Sequence, residues 1–136
     1  MTPAEALDFL RANPRAVLAT VRADGRPQLS PVLAVVDDQD RVVISTRETA
    51  VKTKNLRRDP RVALCVLTEG FFGGFAQVEG SAEIVSLPDA MDLLVDYYRR
   101  AAGEHDDWDD YRAAMVRDQR VVVRFTVERA GPTVSG

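Results

Sequence analysis

Short runs of apolar and β-branched residues, separated by polar turn residues, dominate the chain from Arg15 onwards and predict strands. The first run, residues 16–21, leads into Ala23-Asp24-Gly25, a hairpin-turn signal. Residues 27–36 return from it, and Asp37-Asp38-Gln39-Asp40 turns the chain again into residues 41–46. Three strands joined this closely make an antiparallel meander. Pro31 inside the second run predicts a bulge or an interrupted edge, because proline cannot donate to the ladder. Further strands are predicted at residues 62–67, 75–86 and 120–127. Helices fill the gaps. Thr2, Pro3 and Glu5 form a capping box at the start, before Asn13-Pro14 stops the helix. Residues 49–58 form a second helix closed by Asp59-Pro60. Residues 88–102 form a third, with Asp89 in its first turn, Met91, Leu94, Val95 and Tyr98 at helical spacing, and Gly103 as its stop. Asp107 caps a fourth, which bears Trp108, Tyr111 and Met115. Six strands with short helices predict a mainly β (α+β) fold, a small antiparallel barrel or strongly coiled sheet, in one domain over residues 1–136.

Composition narrows the chemistry. With 136 residues, 46% hydrophobic and 29% charged, the chain is an ordinary globular one. Its net charge of -3 lacks the footprint of a nucleic-acid binder. No apolar run is long enough to span a bilayer and the N-terminus carries no leader pattern, so a cytoplasmic protein is expected. The lone cysteine, Cys65, reads as a buried small hydrophobe without a disulfide partner. The single histidine, His105, lies in an acidic stretch and reads as a solvated loop residue. One histidine and one cysteine leave no zinc site built from several His and Cys ligands within a chain, and no obvious catalytic relay. Any enzymatic chemistry would come from a cofactor.

Residues 45–61 carry the clearest functional pattern. A strand ends in Ser45-Thr46 and leads into a helix rich in cations. Free N–H groups at a helix start attract anions, and hydroxyls with a lysine complete a phosphate cradle. Lys52 shares a helical face with Asn55 and Leu56 and is the expected phosphate ligand, whereas Lys54, Arg57 and Arg58 face water. The same cations also fit an ordinary solvated helix face. Ser30-Pro31-Val32-Leu33-Ala34 offers backbone groups to the edge of a flat ring, with apolar side chains for its face. Gly70-Phe71-Phe72-Gly73-Gly74 lacks dinucleotide-binding spacing and reads as a surface loop or an aromatic flap. Trp108 and Tyr111 read as core or interface anchors.

Residues 17–27, the strand end Val43-Ile44-Ser45-Thr46, and residues 52–64 together resemble the pyridoxamine 5'-phosphate oxidase-like split β-barrel superfamily. Residues 102–112, Ala-Gly-Glu-His-Asp-Asp-Trp-Asp-Asp-Tyr-Arg, are similar to its branch that uses the deazaflavin coenzyme F420, typical of actinobacteria. The resemblance implies an FMN-binding-like split barrel and a homodimer with cofactor sites at the subunit interface. It also implies a cofactor-binding set of Ser30, Pro31, Val32, Leu33, Ile44, Ser45, Thr46, Lys52, Asn55 and Gln77, with Lys52 on the phosphate. The family motif at Gln77 begins with an arginine, which this chain replaces by Ala76. The oxidase's C-terminal Trp-x-Arg segment is missing, which argues against vitamin B6 oxidation.

The leading expectation is an F420-dependent reductase that passes a hydride to a small conjugated acceptor, with Arg57 and Arg58 meeting the coenzyme's acidic tail. An FMN oxidoreductase of the same fold and a non-catalytic F420 carrier or sensor are the alternatives. A structural barrel without a cofactor fits the sequence pattern as well, and the family resemblance argues against it.

Overall fold

The computed structural model describes residues 1–132. In chain order the elements are α1 (Pro3–Ala12), β1 (Arg15–Val21), β2 (Pro27–Leu33), β3 (Val35–Val36), β4 (Arg41–Arg47), α2 (Val51–Arg58), β5 (Arg61–Leu67), β6 (Phe75–Ser81), β7 (Glu83–Val85), α3 (Met91–Ala102), α4 (Trp108–Arg117), β8 (Arg120–Thr126) and β9 (Arg129–Gly131). The expected domain extends to residue 136, and residues 133–136 lie outside those described.

Two antiparallel sheets have the strand orders β2-β1-β5-β6-β9 and β3-β4-β8-β7. Two of the six expected runs bend from one sheet into the other. Residues 27–36 break at Ala34 into β2 and β3, and residues 75–86 break at Ala82 into β6 and β7. The bends are anchored, since the Ala34 amide donates to the Pro14 carbonyl (2.9 Å) and the Ala82 amide to that of Pro60 (2.8 Å). The two corners close the sheets into a ring. Of the two expectations for Pro31, the bulge does not form and the edge position holds. Pro31 pairs in register with Val17, on an edge strand where a missing donor is tolerated.

Strand alternation sends Leu18, Leu64, Val66, Val78, Val42, Ile44, Val123 and Phe125 inwards, and Ala6, Leu7 and Leu10 of α1 join the same core. The capping box of α1 forms in both directions, with Glu5 N to Thr2 Oγ1 at 3.2 Å and Thr2 N to Glu5 Oε1 at 3.0 Å. A second cluster covers the outer face of the smaller sheet, where Val35, Val43 and Val122 pack against Leu94 and Val95 of α3 and Tyr111 of α4. Helix α3 starts at Met91, later than expected, because Ala90 and Met91 first close turns onto the Ser86 and Pro88 carbonyls. Asp92, not Asp89, is therefore its first-turn acid, and Gly103 ends it at φ +84°. Asp107 caps α4 through the Asp110 amide (3.1 Å).

Among the described residues no helix covers the outer face of the larger sheet. Leu29, Leu33 and Phe75 are exposed there. Cys65 is only half-buried on this face, because its neighbours Leu64 and Val66 take the inward positions. His105 is likewise not freely solvated. It packs beside Tyr98, Tyr111 and Trp108, with ring centroids 4.9, 5.5 and 5.6 Å away, and its Nδ1 accepts the Asp107 amide.

Gly80 marks the tightest crossing of the two sheets. A Cβ there would lie 2.5 Å from the Thr126 carbonyl oxygen and 2.8 Å from the Phe125 ring. Gly80→Ala should therefore cost about 1–3 kcal/mol, as overpacking does. Urea unfolding followed by circular dichroism checks this, and an unchanged midpoint would mean that the crossing yields to a methyl group without cost.

Candidate functional site

Helix α2 follows directly from β4 and is tied back to it, with Thr53 Oγ1 donating to the Arg47 carbonyl at 2.6 Å. Its N-cap residue, Ala50, makes no side-chain cap bond, and no acid stands in the first turn. The positive end of the helix is thus left without an anion. Thr53, Asn55 and Leu56 are the buried positions. Lys52 is partly buried on the same side, and its Nζ donates to Ser30 Oγ on β2 at 3.4 Å.

A second cation stands close by. Arg120, at the start of β8, pairs in register with Arg47 on β4. Its Nε is buried without a hydrogen-bond partner. Among the described residues neither Lys52 nor Arg120 takes part in an ion pair. An unmade bond to a buried polar group costs about 1–3 kcal/mol, and more if the group is charged. Burial, and then the charge of Arg120, hold the Lys52 amine below its ordinary pKa. Tyr97 of α3 spans the seam between the sheets, its hydroxyl donating to the Leu33 carbonyl at 2.8 Å. Burial pushes that phenol up, against the opposing pull of Arg120 and the Ser45 amide. Burial also pushes Tyr111 up to about 12, and its hydroxyl donates to the Leu94 carbonyl (2.7 Å).

The structure thus brings Ser30, Leu33, Ser45 and Lys52 to one seam, between β2, β4, α2 and α3. Ser30 and Val32 occupy the inward positions of β2, while Pro31 and Leu33 face outwards. Ile44 is in the core and Thr46 is buried on the same inner face, so the side chain of Ile44 is committed to packing. Asn55 is also committed. Its Nδ2 donates to Thr20 Oγ1 (3.1 Å) and its Oδ1 accepts from Arg58 (3.1 Å), which pins α2 to β1. Gln77 lies on the open face of the larger sheet, two strands beyond β1, and donates to Glu79 Oε1 at 3.0 Å. Two clefts of about 520 and 710 Å³ on the larger-sheet side hold none of the expected ligands. Within one chain these ligands line an edge.

Two cations expected to meet an acidic tail have other work. Arg57 grips Glu48 with both ends of its guanidinium (2.6 Å at the shortest) and also donates to Ser86 Oγ. Arg58 donates to the Val21 carbonyl at 2.7 Å. Sequence reasoning missed Arg120 and Tyr97. The run Arg-Val-Val-Val reads as the start of a buried strand, and only the β4–β8 pairing carries it to α2.

A family model described as pyridoxamine 5'-phosphate oxidase matches residues 2–133. The chain belongs to that family. Among solved structures, the protein Rv2991 of Mycobacterium tuberculosis is similar with 29% identity and a TM-score of 0.77, covering 100% of this chain and 93% of that one. An F420 reductase shares the fold at 23% identity and a TM-score of 0.71, covering 91% and 94%. A pyridoxamine 5'-phosphate oxidase assigned by similarity in Lactobacillus delbrueckii does so at 20% identity and 0.67, covering 97% and 93%. The split barrel expected for the family is therefore the fold observed, and its members include oxidoreductases. No helix among the described residues is long and apolar enough to cross a membrane.

The unpaired amine has a consequence for stability. Because the folded chain holds the Lys52 proton less tightly than the unfolded chain, the charge destabilises the ligand-free fold at neutral pH. That penalty fades as the pH rises through the depressed value towards the ordinary 10.5. Lys52→Met should melt above the parent at pH 7, with the gap closing in alkaline buffer. A variant that melts below the parent at pH 7 would show that the amine is already compensated.

Proposed function

We propose that the chain is an F420-dependent reductase, acting in the cytoplasm as a homodimer, that carries a hydride from the reduced deazaflavin to a small conjugated acceptor. The observation that supports it best is the inward Lys52 amine, 3.4 Å from the Ser30 hydroxyl and without an anion of its own. The residues fit a phosphate-bearing ring cofactor. Lys52 and the uncapped start of α2 would hold the phosphate, with the Ser30 and Ser45 hydroxyls beside it. The β2 backbone from Ser30 to Leu33 would meet the polar edge of the ring. When bound, the deazaflavin would supply the hydride. The chain's own part is to orient the ring and keep water out, and no acid–base pair is assigned.

The open sheet face supports the homodimer. Leu29, Leu33 and Phe75 would be covered by a second copy, and Gln77 lies on that same face. An exposed apolar face of this kind marks an interaction surface. Gel filtration should give a species of twice the 15.0 kDa chain mass. A monomer at micromolar concentration would remove the two-chain site.

FMN is the second reading, because Arg57 and Arg58 are engaged within the chain and leave the acidic F420 tail without its expected partners. Adding each cofactor to the ligand-free protein and following fluorescence and retention on a desalting column distinguishes them. F420 should be retained, and Lys52→Met should weaken its binding roughly 10- to 150-fold, as for a lost charge-assisted contact. Retention of FMN with no F420 response would reverse the order. Oxidation of the reduced deazaflavin by a panel of quinones, nitroaromatics and tetrapyrroles then separates an enzyme from a carrier.

A further inference from the structure

Wherever its arginines do not face the seam, this chain tends to give them partners. Arg41 bonds Asp37 at 2.8 Å, Arg61 bonds Asp59 at 2.7 Å, Arg57 bonds Glu48, and Arg124 bonds Glu83. Arg15, Arg22 and Arg112 have none among the described residues but are exposed to water, whereas Arg120 is not. Asp118, two residues before it, leans instead towards Arg117 (3.9 Å) and Arg47 (4.0 Å). The Nε of Arg120 is buried and bonds nothing, although guanidinium donors are strong and costly to leave unused. Its strand partner Arg47 carries the carbonyl that takes the Thr53 hydroxyl, one residue from Lys52, which places Arg120 beside the start of α2. Two neighbouring cations, one with an orphaned donor, make a site that lacks its anion.

We infer that Arg120 is the second cation of the Lys52 site, and that the pair selects a ligand whose phosphoryl end brings negative charge into the seam. This deepens the cofactor reading and rests on it for the identity of the ligand, though not for the anion itself. Lys52 acts as a point charge from α2, whereas Arg120 presents a directional donor from β8. Selection then lies between phosphorylated and unphosphorylated forms of the same ring. FMN and F420 both meet it, one with a phosphate monoester and the other with a phosphodiester and carboxylates.

The test uses the whole chain, Arg120→Gln and Arg120→Lys. Inorganic phosphate is titrated by thermal shift, and FMN, riboflavin and F420 by fluorescence. Arg120→Gln should lose roughly tenfold or more in affinity for phosphate and for whichever phosphorylated cofactor the parent binds, with riboflavin unchanged. Arg120→Lys should fall between the two. Unchanged phosphate affinity in both variants would overturn the assignment, as would a loss for riboflavin equal to that for FMN. If Arg120→Gln does not fold, Arg120→Lys decides by the same readouts. Phosphate binding that depends on Arg120, with no ring cofactor bound, supports the anion site and removes the redox reading. A cofactor bound equally by parent and variants removes Arg120 and leaves the redox reading standing.

Discussion

Inward-pointing aliphatic side chains from six strand runs must share one interior, and that requirement fixes the position of everything else in the molecule. Leu18, Leu64, Val78, Ile44 and Val123 meet only if the larger and smaller sheets face one another. Two sheets can do so if strands cross from one to the other. The corners at Ala34 and Ala82 provide the crossings. Beside the first corner the strands part, and the gap between β2 and β4 is where α2 and α3 send Lys52 and Tyr97. Apolar closure of the barrel thus generates a polar seam.

The seam runs against the habits of the rest of the surface. Next to it, buried polar groups find partners, as in the Asn55–Thr20–Arg58 arrangement that holds α2 in place, where the asparagine amide meets a hydroxyl and its carbonyl meets a guanidinium. The rigidity of that support matters for binding, because a helix pinned to β1 through a buried asparagine presents its first turn in one orientation. Asn55, expected to touch the cofactor, also pins the helix that carries Lys52.

Much of the fold was legible along the chain, because runs of apolar residues, turn signals and caps are local. The capping box at Thr2 and Glu5, the Gly103 stop and the six strand runs all come from nearest neighbours in sequence. The sheet-switching bends did not, since Ala34 and Ala82 carry no local breaker and bend only because each amide finds a distant carbonyl. For the site, Lys52 was readable from helical spacing against Leu56. Arg120 was not, being 68 positions away and brought near by strand pairing alone. The partners of Arg57 and Arg58 were illegible for a related reason, as Glu48, Ser86 and Val21 lie on other elements.

The corners also limit how this fold can vary in length. Side chains alternate across a strand with a period of two, so losing or gaining one residue beside Ala34 would turn the whole of β2 or β3 over. Val35 and Val36 would exchange sides, one leaving the barrel interior and the other entering it. Hairpin tips such as Asp37–Asp40 carry no such penalty, because no packed face depends on their register. Insertions and deletions among relatives should therefore gather at the tips and spare the bends.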